Sequence, residues 1–278
     1  MKNTPKFPFL ACVLIASMLV FSCDMNDSPE APVPELSVVE ENSQVISTFE
    51  DVDYITLSAL SSSGLNARTT VDLPGGNLCE GTIIKLDNAA KLITIDFGAG
   101  CTNNYGVVRK GKVKIAYTAN LLFPGSEITT TFEGYEVDGL KVEGTRKITN
   151  KGVNGGNNSI TLGVSIQNGK VTWPNATFFT INSEQQRVIT LGTQGAYEVS
   201  ITGTAAGKSR EGVDYITSTN EPLIYTKNCM DSGITYPIGG IQKFQFLGIE
   251  VSVDYGDETC DKLATVFYPG GSKAITLD

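Results

Sequence analysis

The sequence predicts an all-β protein, an antiparallel sheet or β-sandwich, preceded by one amphipathic helix. Three observations predict it. Apolar and polar residues alternate with period two in several short runs, helical spacing is confined to one stretch, and after Thr69 β-branched residues are broken repeatedly by Gly, Asn and Asp. Across 278 residues, 41% hydrophobic content with 18% charged residues suffices for a core, so a folded body is expected.

In chain order, Lys2 and Lys6 form a basic head ahead of an apolar run from Phe7 to Phe21, which ends at Ser22-Cys23. That run is too short for a membrane span of about 20 apolar residues and reads as a secretory signal over residues 1–22. The segment Leu19-Val20-Phe21-Ser22-Cys23 resembles a bacterial lipobox, which implies cleavage before Cys23 and lipid attachment to it. Each buried methylene of such a lipid contributes about 0.8 kcal/mol, so the N-terminal lipid alone would hold the chain at a membrane. Residues 23–36, with Asp24, Asp27, Pro29, Pro32 and Pro34, read as an acidic, proline-rich tether. Acidic residues directly after the cysteine resemble the surface-export signal of Bacteroidota lipoproteins. The formal charge is −9, and losing Lys2 and Lys6 makes the mature chain more acidic still. Anionic lipid would repel such a body, leaving the tether as its membrane contact.

Over residues 37–61, Val38, Val45, Phe49, Val52 and Ala59 recur at helical spacing on one face. A serine-rich break follows, and the β-rich body is expected over 69–278, divisible into halves 69–150 and 151–278. Ile93, Ile95 and Phe97 alternate with Thr94 and Asp96, and Val113, Ile115 and Tyr117 alternate with Lys112, Lys114 and Ala116. Strands with one wet side belong to antiparallel sheets. Asp138-Gly139 suits a two-residue type I′ turn that pairs Val137 with Leu140, Glu136 with Lys141 and Tyr135 with Val142. Asn168-Gly169 predicts a second hairpin, pairing Ile166 with Val171 and Val164 with Trp173. Trp173, the only tryptophan, is then a core residue, with a ligand platform as its alternative role. Ile93 to Gly98 with Cys101 beyond echoes Val251 to Gly256 with Cys260 beyond, as a duplicated unit or a shared way of ending a strand.

Four cysteines remain beyond Cys12 and Cys23: Cys79, Cys101, Cys229 and Cys260. In an exported chain they imply two disulfides, and of three connectivities the local one, Cys79–Cys101 with Cys229–Cys260, is favoured because each pair flanks one copy of the echo. A four-cysteine zinc site is the sharper alternative, but its usual closely spaced pairs do not occur.

These blocks together resemble a family of Bacteroidota lipoproteins of unknown function. The resemblance rests on LITIDFGAGC at Leu92 to Cys101, RKGKVKIAYT at Arg109 to Thr118, the stretch from Pro124 to Asn150, and VSVDYGDETCDKLATV at Val251 to Val266. It implies an exported all-β lipoprotein of unknown function and brings no catalytic residue with it.

The absence of His excludes Ser-His-Asp and Cys-His machinery and every His-ligated metal centre. A pI near 4.7 offers nothing to nucleic-acid phosphates, so no nucleic-acid partner is expected. Gly152 to Gly156 lack the lysine of a phosphate-binding loop, and no cofactor is called for. Carboxylates are the catalytic groups left. Glu133, Glu136, Asp138 and Glu143 cluster on one hairpin, where a pair with one raised pKa could hydrolyse a glycosidic bond, although solvated charge beside Arg146 and Lys147 explains them as well. Asp254, Asp257, Glu258 and Asp261 surround a glycine turn as a calcium candidate without the spacing of an EF-hand. Tyr105, Tyr135, Tyr197, Tyr215 and Tyr236 are candidate stacking groups. The sequence therefore favours a non-enzymatic binding or structural module of the envelope, with a glycan or protein as ligand. Its alternatives are a carboxylate-dependent glycan hydrolase and a fimbrial or adhesive subunit processed after Arg68.

Overall fold

The structure, a computed structural model, describes residues 36–62 and 78–277. The signal segment, Cys23, the tether up to residue 35 and the Arg68 processing position lie outside the described residues. The first element is the expected helix, α1, over Ser37–Ser62. Its 26 residues span about 39 Å at 1.5 Å each. The residues at helical spacing do what their period requires: Val38, Val45, Phe49, Val52 and Ala59 are all buried, and Ile55 joins them. No helix among the described residues is long and apolar enough to cross a membrane.

Everything after residue 78 is one antiparallel meander. The strands are β1 Ile83–Asp87, β2 Leu92–Asp96, β3 Cys101–Thr102, β4 Val108–Tyr117, β5 Glu127–Val137, β6 Leu140–Asn154 and β7 Ser159–Thr172. There follow β8 Phe178–Leu191, β9 Tyr197–Lys208, β10 Asp214–Thr226, a short helix α2 Lys227–Asp231, β11 Gly239–Phe246, β12 Ile249–Asp257, β13 Leu263–Tyr268 and β14 Gly271–Thr276. Each strand pairs with the next in sequence, except that the two-residue β3 hangs on β4 beside the main path. The result is a single sheet rather than a two-sheet sandwich. Strand β6 runs through position 150 and pairs with β7 on both sides of a one-residue irregularity between Asn150 and Gly152.

The two turn dipeptides behave differently. Asp138 and Gly139 both adopt positive φ and close the β5–β6 hairpin, pairing Val137 with Leu140 and Glu136 with Lys141 as expected. One step further the ladder breaks, resuming at Thr131 with Thr145, and Tyr135 and Val142 are both buried without forming a ladder pair. Glu136 and Lys141, though cross-strand neighbours, form their ion pairs elsewhere: Glu136 meets Lys110 of β4 at 2.8 Å, and Lys141 meets Glu143 at 3.0 Å. Asn168-Gly169 makes no hairpin. It lies within β7, where Asn168 at φ 51° inserts one extra residue against both neighbouring strands. A bulge needs the same left-handed backbone as a turn, and Asn supplies it in either setting. The Asn168 N–H donates to Asn182 Oδ1 at 2.8 Å, and a Cβ on Gly169 would collide with Ile166 and Ile181. The extra residue moves the pairing of Ile166 to Arg146 and Ser183, and of Val171 to Val142 and Phe179.

The two copies of the echo share a local hydrogen bond after the apolar run. On β2 and on β12 a carboxylate oxygen, of Asp96 and of Asp254, accepts the N–H of the glycine two residues on, at 2.9 Å in each case. Cys79 joins Cys101 and Cys229 joins Cys260, with Cα atoms 5.9 and 5.1 Å apart, which is the local pairing. Closing loops of this length stabilises by roughly 3 kcal/mol each.

The two faces of the sheet use different chemistry. The outer face is laced with Lys–Glu pairs such as Lys114–Glu133, Lys147–Glu127 and Lys243–Glu250. Exposed pairs of this kind contribute about 0–1 kcal/mol each and chiefly keep the face wet. The inner face carries Ile93, Ile95, Val113, Ile115, Phe179, Ile181, Val251 and Val253, all fully buried, and receives α1.

Candidate functional site

Three arginines stand on alternate strands of the inner face and reach one turn of α1. Arg109 on β4 donates to Asp51 through Nη2 at 2.5 Å and Nε at 3.3 Å. Arg146 on β6 grips Asp53 with two bonds of 2.6 Å and reaches Glu50 at 3.3 Å. Arg187 on β8 holds both oxygens of Glu50, at 2.7 and 2.5 Å. Strands β4 and β8 would stand about 19 Å apart in a flat sheet with 4.8 Å spacing. Of the α1 residues whose burial is described, Glu40 and Gln44 are the exposed ones, so the sheet curls around the helix and meets it on its other sides. Arginine suits this belt because its planar fork meets a carboxylate bidentately and is less strongly hydrated than an ammonium. Arg146 is thus no compensating surface charge: it is 1% exposed.

A fourth contact pins the other end of the helix. In the β9–β10 connection, the backbone N–H of Arg210 donates to Glu41 Oε2 at 3.1 Å. The Arg210 guanidinium lies 4.6 Å from the centre of the Trp173 ring and donates to Thr177 Oγ1 at 2.8 Å. Trp173 is half-buried against the core and takes up this cation with its ring.

Burial pushes the Glu50 carboxyl up, but Arg187 and Arg146 outweigh it and hold the group down at about 2. Burial pushes Asp51 and Asp53 upward against the pull of Arg109 and Arg146. For Glu50 the folded pKa is the depressed one, so the stability it contributes is complete above its ordinary 4.5 and is lost as pH falls towards 2. The melting temperature of the native protein should fall across that interval. A Glu50→Gln variant should start lower and lose less, with Asp51 cancelling in the comparison and Asp53, relieved of the Glu50 charge that raises it, ionising more readily. Parallel pH profiles by circular dichroism would contradict this assignment.

Beyond the belt, α1 and the sheet part to form a cleft over β8–β12. Asn42, Ser47 and Glu50 line its helix side; Gln185, Thr204, Thr217, Tyr225, Gln242 and Tyr255 line its sheet side, and Tyr236 and Pro237 stand at one margin. The cleft measures about 60 Å³, room for roughly two water molecules. An irregularity in β10 shapes it. Between the pairs Ser218–Thr204 and Leu223–Ile201, β10 carries two residues more than β9. Thr219 Oγ1 is turned to accept the Gly203 N–H at 2.8 Å, and Gly240, at φ 95°, passes Pro222 so closely that a Cβ would strike its carbonyl. Tyr255 donates to Gln242 Oε1 at 3.1 Å. The Asn42 side chain is 2% exposed, and its Nδ2 makes no full hydrogen bond, the amide reaching only toward the Tyr215 hydroxyl.

The residues singled out from sequence fall elsewhere. Glu133, Glu136 and Glu143 lie on the outer face, bonded to Lys114 at 2.6 Å, Lys110 at 2.8 Å and Lys141 at 3.0 Å, and Asp138 accepts the Val108 N–H at 2.8 Å. The Lys114 ammonium draws the Glu133 pKa down, whereas a general acid needs it raised. Among the described residues no three acidic or cysteine side chains converge as metal ligands. Asp254 accepts the Gly256 N–H, Asp257 accepts the Thr259 hydroxyl and Asp261 accepts the Leu263 N–H, and with Glu258 they do not gather into a group of three that could hold a calcium ion. Both cysteine pairs are disulfides, which excludes their use as a zinc site. Of the tyrosines, Tyr135 and Tyr215 are core residues, Tyr105 is exposed and Tyr197 is half-buried beside Met230; Tyr236 alone borders the cleft. Tyr225 and Tyr255 were not legible as site residues. The available signal was Pro222, since a proline inside a strand belongs at an edge or a bulge.

No known protein family, curated protein or solved structure matches this chain.

Proposed function

We propose that the protein is an exported lipoprotein of the bacterial outer membrane, held through Cys23 and facing the cell exterior, whose body binds a glycan or protein ligand and performs no bond-breaking chemistry. One observation carries the binding half of this reading: the carboxylate at the cleft is committed. Glu50, which borders it, is kept ionised by two guanidiniums, and Glu133, Glu136 and Glu143 on the outer face are held by lysines. A glycan hydrolase needs one carboxyl held protonated beside its substrate. The cleft offers hydroxyls, amides and tyrosines instead, which are groups that hold a ligand.

The anchoring half rests on the lipobox-like segment ending at Cys23 and on the acidic tether after it. In a Gram-negative host, the native chain should sediment with membranes in high salt and be released by detergent. A Cys23→Ser variant should appear in the soluble fraction. If that variant partitions like the native chain, lipid attachment at Cys23 is wrong.

A further inference from the structure

We propose that the cleft between α1 and β8–β12 binds a neutral sugar, with a substituent such as a hydroxymethyl or acetamido group entering it and the ring resting at the mouth. This rests on the reading of the body as a binding module and names its ligand class. Four observations lead to it. The cleft volume of about 60 Å³ is too small for a whole sugar ring but admits a group the size of two water molecules. The Asn42 amide, nine-tenths buried and more, lines that volume with an N–H that makes no full hydrogen bond, and a sugar hydroxyl or acetamido carbonyl supplies an acceptor. The charged lining group, Glu50, already has both oxygens on Arg187, so the cleft offers neither a free cation for a phosphate or uronate nor a free anion for an amine. Among the lining residues Thr217, Thr235 and Gln242 present donors and acceptors that a polyol can share and a hydrocarbon cannot. A purely apolar occupant would leave the Asn42 amide buried without a full hydrogen bond, the situation that polar sites disfavour most.

The test is a heteronuclear NMR titration of the folded body, following the Asn42 and Gln242 side-chain amides. The probes are the methyl glycosides of glucose, galactose, mannose and N-acetylglucosamine, with methyl glucuronide as the anionic control and cyclohexanol as the apolar one. Saturable shifts of those amides with at least one neutral glycoside, in the millimolar range suited to so small a contact, are expected. No saturable shift with any neutral glycoside, or a stronger one with cyclohexanol or the glucuronide, overturns the proposal.

Three variants sharpen it. Ser47→Trp should fill the mouth and weaken binding at least tenfold, whereas Gln44→Trp, on the exposed side of the same helix, should leave it unchanged. Asn42→Leu removes an N–H that makes no full hydrogen bond and at most reaches toward the Tyr215 hydroxyl, so the protein should stay folded while binding is lost. Unchanged affinity in Asn42→Leu and Ser47→Trp overturns the proposal. Incubation with the matching oligosaccharides separates it from the broader functional reading. New reducing ends would refute the non-enzymatic reading and leave the sugar site standing, while neither binding nor cleavage would refute the sugar site alone.

Discussion

An Arg146→Ala variant is expected to lose about 3–5 kcal/mol of stability, because it leaves Asp53 and part of Glu50 buried without their cation. For a body of this size that lowers the melting temperature by roughly 6–20 °C. The effect comes from the stranded carboxylate more than from the loss of an attraction. Taking a guanidinium and a carboxylate out of water costs several kcal/mol per ion, and their mutual attraction roughly returns it. It follows that the double variant Arg146→Met with Asp53→Leu should recover most of the loss, and thermal melts of the two proteins check this. If the double variant melts as low as the single one, the pair contributes net stability and this account of it is wrong. The belt would then be a fastener rather than a selector of one helix register.

Phe49→Ala should cost about 3–5 kcal/mol as well, for a different physical reason. Phe49 is fully buried at the centre of α1, and its ring meets Phe132 edge-on with centroids 6.2 Å apart. Truncation removes the transfer free energy of a ring and leaves a cavity that a helix pinned by arginines on both sides cannot close by shifting. Denaturant unfolding should show a lower midpoint with an unchanged slope, since the surface exposed on unfolding stays the same. A loss below about 1 kcal/mol would mean that α1 is loosely seated.

Both predictions concern an element that the sequence announced clearly. The spacing of Val38, Val45, Phe49, Val52 and Ala59 located α1 to within a residue, because helical periodicity is a local property. The alternation on β2 and β4 likewise gave both strands and their buried faces. The two turn dipeptides show where local reading stops. Asp138-Gly139 and Asn168-Gly169 favour the same left-handed backbone, and only the pairing of β7 with both neighbours makes one a turn and the other a bulge. The arginine belt was half legible. On β6, Arg146 shares strand parity with the buried Ile148 and Asn150, and on β8, Arg187 shares it with Phe179 and Ile181, which places a cation on an apolar face. That the answering acids are Glu50, Asp51 and Asp53 of α1 could not be read, since those contacts join residues roughly 60 to 140 positions apart, a separation on which sequence patterning is silent. The cleft was less legible still, because it depends on a two-residue irregularity in β10 whose sole trace is Pro222.

The central claim is that α1 is a core element around which the sheet curls, leaving a neutral cleft along one flank. Native-state hydrogen exchange of the amides from Val45 to Thr56 tests it most directly. The account predicts opening free energies for this segment as high as those of β6, β7 and β8, lowered together with the sheet in Arg146→Ala. Exchange of α1 near the rate of an unstructured peptide, while the sheet stays protected, would contradict it.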